Sequence, residues 1–170
     1  MANTMVKIQS VTVDASGAPS IDFTNIPQTF TDLVILTSAR SASGGGVDGK
    51  ITFNSNTTGY TWRSLYGSGT GATSGNGSGQ TVGWFVQEPN YTTSIFCNTQ
   101  IYIPDYTSSN SKSWSCDGTT ENNGTASFSG FITGLWANSA AITSVSLAVA
   151  ATGVNLVQFS SATLYGILKA

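Results

Sequence analysis

Eight carboxylates and no histidine set the chemistry open to this 170-residue chain. Without imidazole, Ser-His-Asp and Cys-His nucleophilic catalysis, histidine acid–base work and most zinc sites drop out. What remains is carboxylate chemistry of the glycosidase kind, in which two acids face each other across the scissile bond and burial raises the pKa of one. Glu88, Asp105, Asp117 and Glu121 are the candidates, and all lie near turns or strand ends, where solvated carboxylates ordinarily sit. Nothing in their spacing shows that any two converge, so turn and surface acids are the reading and no catalytic residue is expected. Asp117, Glu121, Asn122 and Asn123 lie close enough to suggest a calcium loop but do not meet the EF-hand pattern, and neither metal nor cofactor is expected.

Cys97 and Cys116 flank a turn at residues 105–112. A hairpin with a loop of about four to six residues would place them on one face, nearly opposite each other, beside Ile101, Ile103 and Trp114. A reduced, buried pair and a disulfide formed after release from the cell both fit this setting, and assembly in the cytosol favours the reduced pair. Tyr60, Trp62 and Tyr66 share one strand face, with Trp84 and Tyr91 not far along the chain. Such a row can stack on sugar rings, although an aromatic stripe at period two is more often the core side of a strand or a subunit contact. Gly67-Ser68-Gly69-Thr70-Gly71-Ala72 matches G-x-G-x-x-A, yet more Gly and Ser follow in place of a helix, so no pyrophosphate site is expected. Asn56, Asn76, Asn90 and Asn123 begin N-x-S/T triplets, which a chain so rich in Asn, Ser and Thr produces by chance.

The elements that must position these residues are strands. Ser (24), Thr (24), Gly (19) and Asn (12) make up 79 residues, while charged residues are only 8% against roughly 25% in an average domain. Disorder is not implied, because aromatics reach 11% and Val, Ile and Thr are abundant. A net charge of −2, with Lys and Arg scattered singly, offers no stripe for phosphates and argues against nucleic-acid binding. No apolar run approaches the roughly 20 residues of a membrane span. The opening MANTMVKIQSVTV lacks the parts of a secretory signal, so folding in the cytosol is expected. Residues 1–170 read as a single domain.

Strand signals recur along the whole chain, and no helical period is sustained. They begin at 6–13, continue through Ile21 and Phe23, 33–36, Ile51 and Phe53, 60–66, 82–86 and 95–103, and close with Trp114 and Cys116, 128–136, 142–149 and 154–167. Grouped into about nine or ten strands, they predict an all-β, antiparallel β-sandwich, jelly-roll-like in winding. Leu33-Val34-Ile35-Leu36 is apolar on both parities, which predicts a strand covered on both faces. Residues 67–80, GSGTGATSGNGSGQ, hold six glycines and no large side chain, which predicts a long mobile surface loop.

Four long segments, SIDFTNIPQTFTDLVILTSARS, ITFNSNTTGYTWRSLYGSG, IYIPDYTSSNSKSWSCDGTTENNG and GLWANSAAITSVSLAVA, followed by ATLYGILKA, resemble a family of small virion proteins of tailed bacteriophages. Many of these phages infect aquatic bacteria and cyanobacteria. The resemblance implies a small β-sandwich on the particle exterior, as capsid decoration, fibre or appendage, with no agreed active site. It also implies that Ile103-Pro104 ends a strand and that Trp136 with Leu135 anchors the next. Few charges would keep such a protein insensitive to salt.

The expectation is therefore a non-enzymatic virion protein, assembled in the host cytoplasm, that decorates or cements the major capsid protein or other virion proteins. A homotrimer is expected from the symmetry of such particles. Docking is expected through the N-terminal strand, at Met5, Val6, Ile8, Val11 and Val13. The alternative is a short tail fibre or adhesin tip that binds host-surface glycan through residues 67–80 and through Tyr60, Trp62 and Tyr66.

Overall fold

In a computed structural model, which describes residues 4–44, 48–121, 123 and 127–168, apolar and polar side chains alternate along most strands. Residues 97–103 and 145–149 show it most plainly, with every second side chain buried. Twelve strands result among the described residues: β1 (Met5–Thr12), β2 (Ser20–Phe23), β3 (Asp32–Ala39), β4 (Asp48–Phe53), β5 (Tyr60–Gly67), β6 (Ala72–Ser78), β7 (Trp84–Phe85), β8 (Cys97–Ile103), β9 (Lys112–Thr120), β10 (Phe128–Trp136), β11 (Val145–Val149) and β12 (Ser161–Ile167).

They form an eight-stranded sheet, β1-β12-β3-β8-β9-β10-β5-β6, and a four-stranded sheet, β2-β11-β4-β7. Every ladder between strands is antiparallel, as expected for a sandwich. Four pairings define the winding: β1 with β12, β2 with β11, β3 with β8 and β4 with β7. First pairs with last, second with second-to-last, and so on inward. One long antiparallel ribbon has folded over so that its rungs fall alternately in the two sheets, which is jelly-roll winding. Two hairpins interrupt this ribbon, β5–β6 after β4 and β9–β10 after β8. They pair with each other through β10 and β5 and extend the larger sheet alone.

The core lies between the sheets. Phe53 of the smaller sheet meets Trp114, Trp136 and Tyr60 of the larger at ring-centroid distances of 5.6, 5.6 and 6.0 Å. The Tyr60 hydroxyl accepts the Phe53 N–H at 2.8 Å, and burial pushes its pKa up to about 12. The Trp114 indole donates to the Gly83 carbonyl at 3.1 Å.

Three expectations are corrected. Residues 67–80 are not a long loop: β6 takes up half of them and pairs with β5 over seven positions, with residues 68–71 as the turn between the two strands. Small residues suffice because Trp62 covers them. A Cβ added at Gly77 would sit 2.7 Å from the indole, and one at Gly75 3.3 Å, so the glycines seat the ring. The β8–β9 connection spans residues 104–111, longer than expected, which shifts the register so that Cys116 faces Ile101 and not Cys97. Lastly, β3 is covered on one face only. Leu33 and Ile35 are fully buried, whereas Leu36 lies on the open face, 38% exposed.

Candidate functional site

The larger sheet overhangs the smaller, and a cleft of about 370 Å³ opens where the overhang begins. Alternation along β5 decides what faces it. Tyr60, at the start, is buried under Phe53, while Trp62, Ser64 and Tyr66 on the same parity line the cleft beyond the core. Tyr66 packs on Phe128 at 5.7 Å, and Phe128 meets Phe85 edge-on at 5.3 Å, which closes the aromatic floor. The opposite wall carries Asp48 at the head of β4, with Glu88 and Tyr91 from the segment that follows β7.

That segment is fixed by a buried cation. Arg40, only 8% exposed, donates through Nη1 to the carbonyls of Thr92 and Ile95 at 2.9 and 2.8 Å, and through Nη2 to those of Pro89 and Tyr91 at 2.9 and 3.2 Å. One planar guanidinium thus holds four carbonyls of an irregular stretch, a geometry that suits its fork of donors. Glu88 and Tyr91 are positioned by this clamp.

The electrostatics of the cleft are acidic. Burial, and then the nearby charge of Glu88, hold the Asp48 carboxyl above the ordinary carboxylate value. Burial and Glu88 likewise raise the Tyr91 phenol. No Lys or Arg side chain lines the cleft among the described residues. Aromatic faces beside hydrogen-bond acceptors can hold an uncharged or positively charged polar ring, and they disfavour anions.

The expected site residues are only partly gathered here. Trp62 and Tyr66 line the cleft and Tyr60 does not. Val13, just past the end of β1, is buried in the core; within β1, Ile8 and Val11 pack against the core and Val6 is half-buried, so these side chains are largely committed to the fold. Met5 is exposed. A bulge between Lys7 and Gln9 interrupts this edge strand. Cys97 and Cys116 are unbonded and buried, and burial pushes the Cys97 thiol up to about 11 and that of Cys116 well above its ordinary value. Neither is poised as a nucleophile. Leu135 does not anchor a strand end with Trp136, because it stands on the outer face, 40% exposed.

Of the four acids singled out, only Glu88 meets another carboxylate in the cleft, and its neighbour is Asp48, at the head of β4. Asp117 lies on the outer face of β9, Glu121 accepts the Ser127 hydroxyl at 2.9 Å, and Asn122 lies outside the described residues. The described residues contain no group of three or more His, Cys, Asp or Glu that could hold a metal ion. No family model matches the chain, and comparison with curated proteins and with solved structures finds no match.

Proposed function

We propose that the protein is a non-enzymatic structural component of a phage particle exterior, a decoration or cement protein seated on the major capsid protein through the outer face of its larger sheet. The observation that carries this reading is the composition of that face. Leu65 and Phe131 stand directly opposite each other across β5 and β10, exposed by 56% and 47%. In the same register row, Phe131 faces Asp117, Asp117 faces Gln100, and Gln100 faces Leu36. Tyr102 and Leu135 add further exposed apolar area in neighbouring rows.

Eight strands at about 4.8 Å spacing, each roughly seven residues long, offer about 800 Å² of flat surface, the area a specific interface takes from each partner. Few charges lie on it, so covering it costs little ion desolvation. The two-parity apolar pattern of β3 then has a reason, since Leu36 is covered in the assembly. Jelly rolls serve in viral shells and in lectins alike, which is support by analogy of fold. The trimeric state is part of the same proposal.

The test is attachment to particles. The double variant Leu65→Thr/Phe131→Lys, which keeps a β-branched residue in β5 and sets the new cation opposite Asp117, should melt as the parent does, yet lose its place on the particle by gel densitometry of purified virions. Unchanged occupancy refutes the outer face as the seat. A copy number of a few per particle, in place of hundreds, refutes decoration.

A further inference from the structure

We propose that the cleft between the β5–β6 hairpin and the segment after β7 binds a neutral or amine-bearing pyranose unit of a glycan. This is a second function, independent of attachment through the outer face. Trp62 and Tyr66 point to the inner side of β5, whereas Leu65 points outward, so both surfaces can be occupied at once.

Three observations converge on this ligand class. The first is the seat of Trp62. Gly75 and Gly77 weaken β6 as a strand, and their absent side chains leave room for the indole to lie against the backbone, beside the hollow. Tyr66 and Tyr91 supply further ring surface. A pyranose carries an apolar C–H face suited to such rings and an edge of hydroxyl donors.

The second is the pair of acceptors. Asp48 and Glu88 share the cleft with no cationic side chain lining it among the described residues. Ionised carboxylates accept and do not donate, so they call for a ligand edge rich in O–H or N–H groups and repel carboxylated, sulfated or phosphorylated sugars. The third is rigidity. Arg40 fixes the backbone that carries Glu88 and Tyr91, so the wall stands in place before any ligand arrives, which lowers the ordering cost of binding. The volume of about 370 Å³ lies in the range of small-ligand sites.

The test is an array of bacterial surface oligosaccharides probed with the full chain, followed by calorimetric titration of the strongest hit. Saturable binding of neutral or amine-bearing glycans is expected. Glu88→Gln and Tyr91→Ser should each stay folded and weaken it at least about tenfold, equivalent to about 1.4 kcal/mol. If either variant unfolds, Thr73→Trp serves in its place, since residue 73 is exposed at the cleft rim and a bulky ring there fills the hollow.

The outer-face variant Leu65→Thr/Phe131→Lys should bind glycan like the parent, which separates this proposal from the attachment reading. Silence across the array overturns the proposal, and so does a preference for acidic glycans. Competition by choline chloride, which would mark the cleft as a cage for organic cations, overturns it as well. So does parental affinity in Glu88→Gln and Tyr91→Ser, or in Thr73→Trp where either of those unfolds.

Discussion

Replacing Arg40 with Met keeps an unbranched stem over the first part of the side chain and removes every donor from the clamp on residues 89–95. Four carbonyls lose partners at 2.8 to 3.2 Å. A hydrogen bond to a charged group contributes about 1.5–3 kcal/mol net, so four would exceed 6 kcal/mol if the segment stayed in place, a large part of the roughly 5–15 kcal/mol that holds a domain folded. The segment need not stay. Once released it can turn its carbonyls to water, and the loss is then limited to the contacts given up by opening, about 3 kcal/mol. With a urea slope of about 2 kcal/mol per molar, the unfolding midpoint falls by about 1.5 M. Arg40→Lys, with one ammonium in place of a planar fork, reaches about half of the acceptors and should fall midway. Tryptophan fluorescence in urea measures the midpoints, and limited proteolysis reports whether cleavage moves to residues 88–96. An Arg40→Met variant within about 1 kcal/mol of the parent, with no new cleavage there, would refute the clamp.

Three further outcomes test the interior and the cleft. Gly134→Ala places a methyl 2.0 Å from the Trp114 indole, which is held by its bond to Gly83 and packed edge-on against Phe53, so a loss of at least about 2 kcal/mol is expected in urea unfolding. Trp114→Leu should cost less in the Gly134→Ala background than alone, since the clash is gone. Asp48→Asn should stabilise the protein in a pH-dependent way. The folded state holds the Asp48 proton more tightly than the unfolded chain does, so ionisation opposes folding as pH rises through the ordinary value of 3.8 and the raised one. Thermal melts of parent and variant should coincide near pH 3 and separate at neutral pH with the variant higher; a variant that melts lower at neutral pH contradicts the assignment.

The sandwich was legible because its strands follow the rule of alternation where they meet the core. Ile21 with Phe23, Ile51 with Phe53 and Ile101 with Ile103 are all buried. β6 escaped because its inner face is covered by a ring from β5 and contributes almost no apolar side chain itself. The signal was present as glycine at 75, 77 and 79, a period of two that fits a strand lying under an aromatic residue. The cysteine placement failed through loop length, since a slip along the hairpin carries each residue to a new partner.

The cleft was half legible. Trp62 and Tyr66 showed their common parity, but nothing local could tell that Tyr60 would be covered by Phe53 while its neighbours two and six residues on would not. Asp48 and Glu88 are 40 residues apart and meet only because the β4–β7 ladder sets Asp48 opposite Phe85. Such a meeting is a property of topology.

One inserted hairpin closes the tip of the ribbon between β4 and β7 and the other enters between β8 and β11, so the eight strands that close the roll do not depend on them for their winding order. Trp62, Tyr66 and Phe128, half of what gives the hollow its character, belong to those insertions. Leu65 and Phe131 stand on the same two hairpins, so exchanging either hairpin would recast the cleft wall and the outer apolar row together while the eight strands of the roll kept their order.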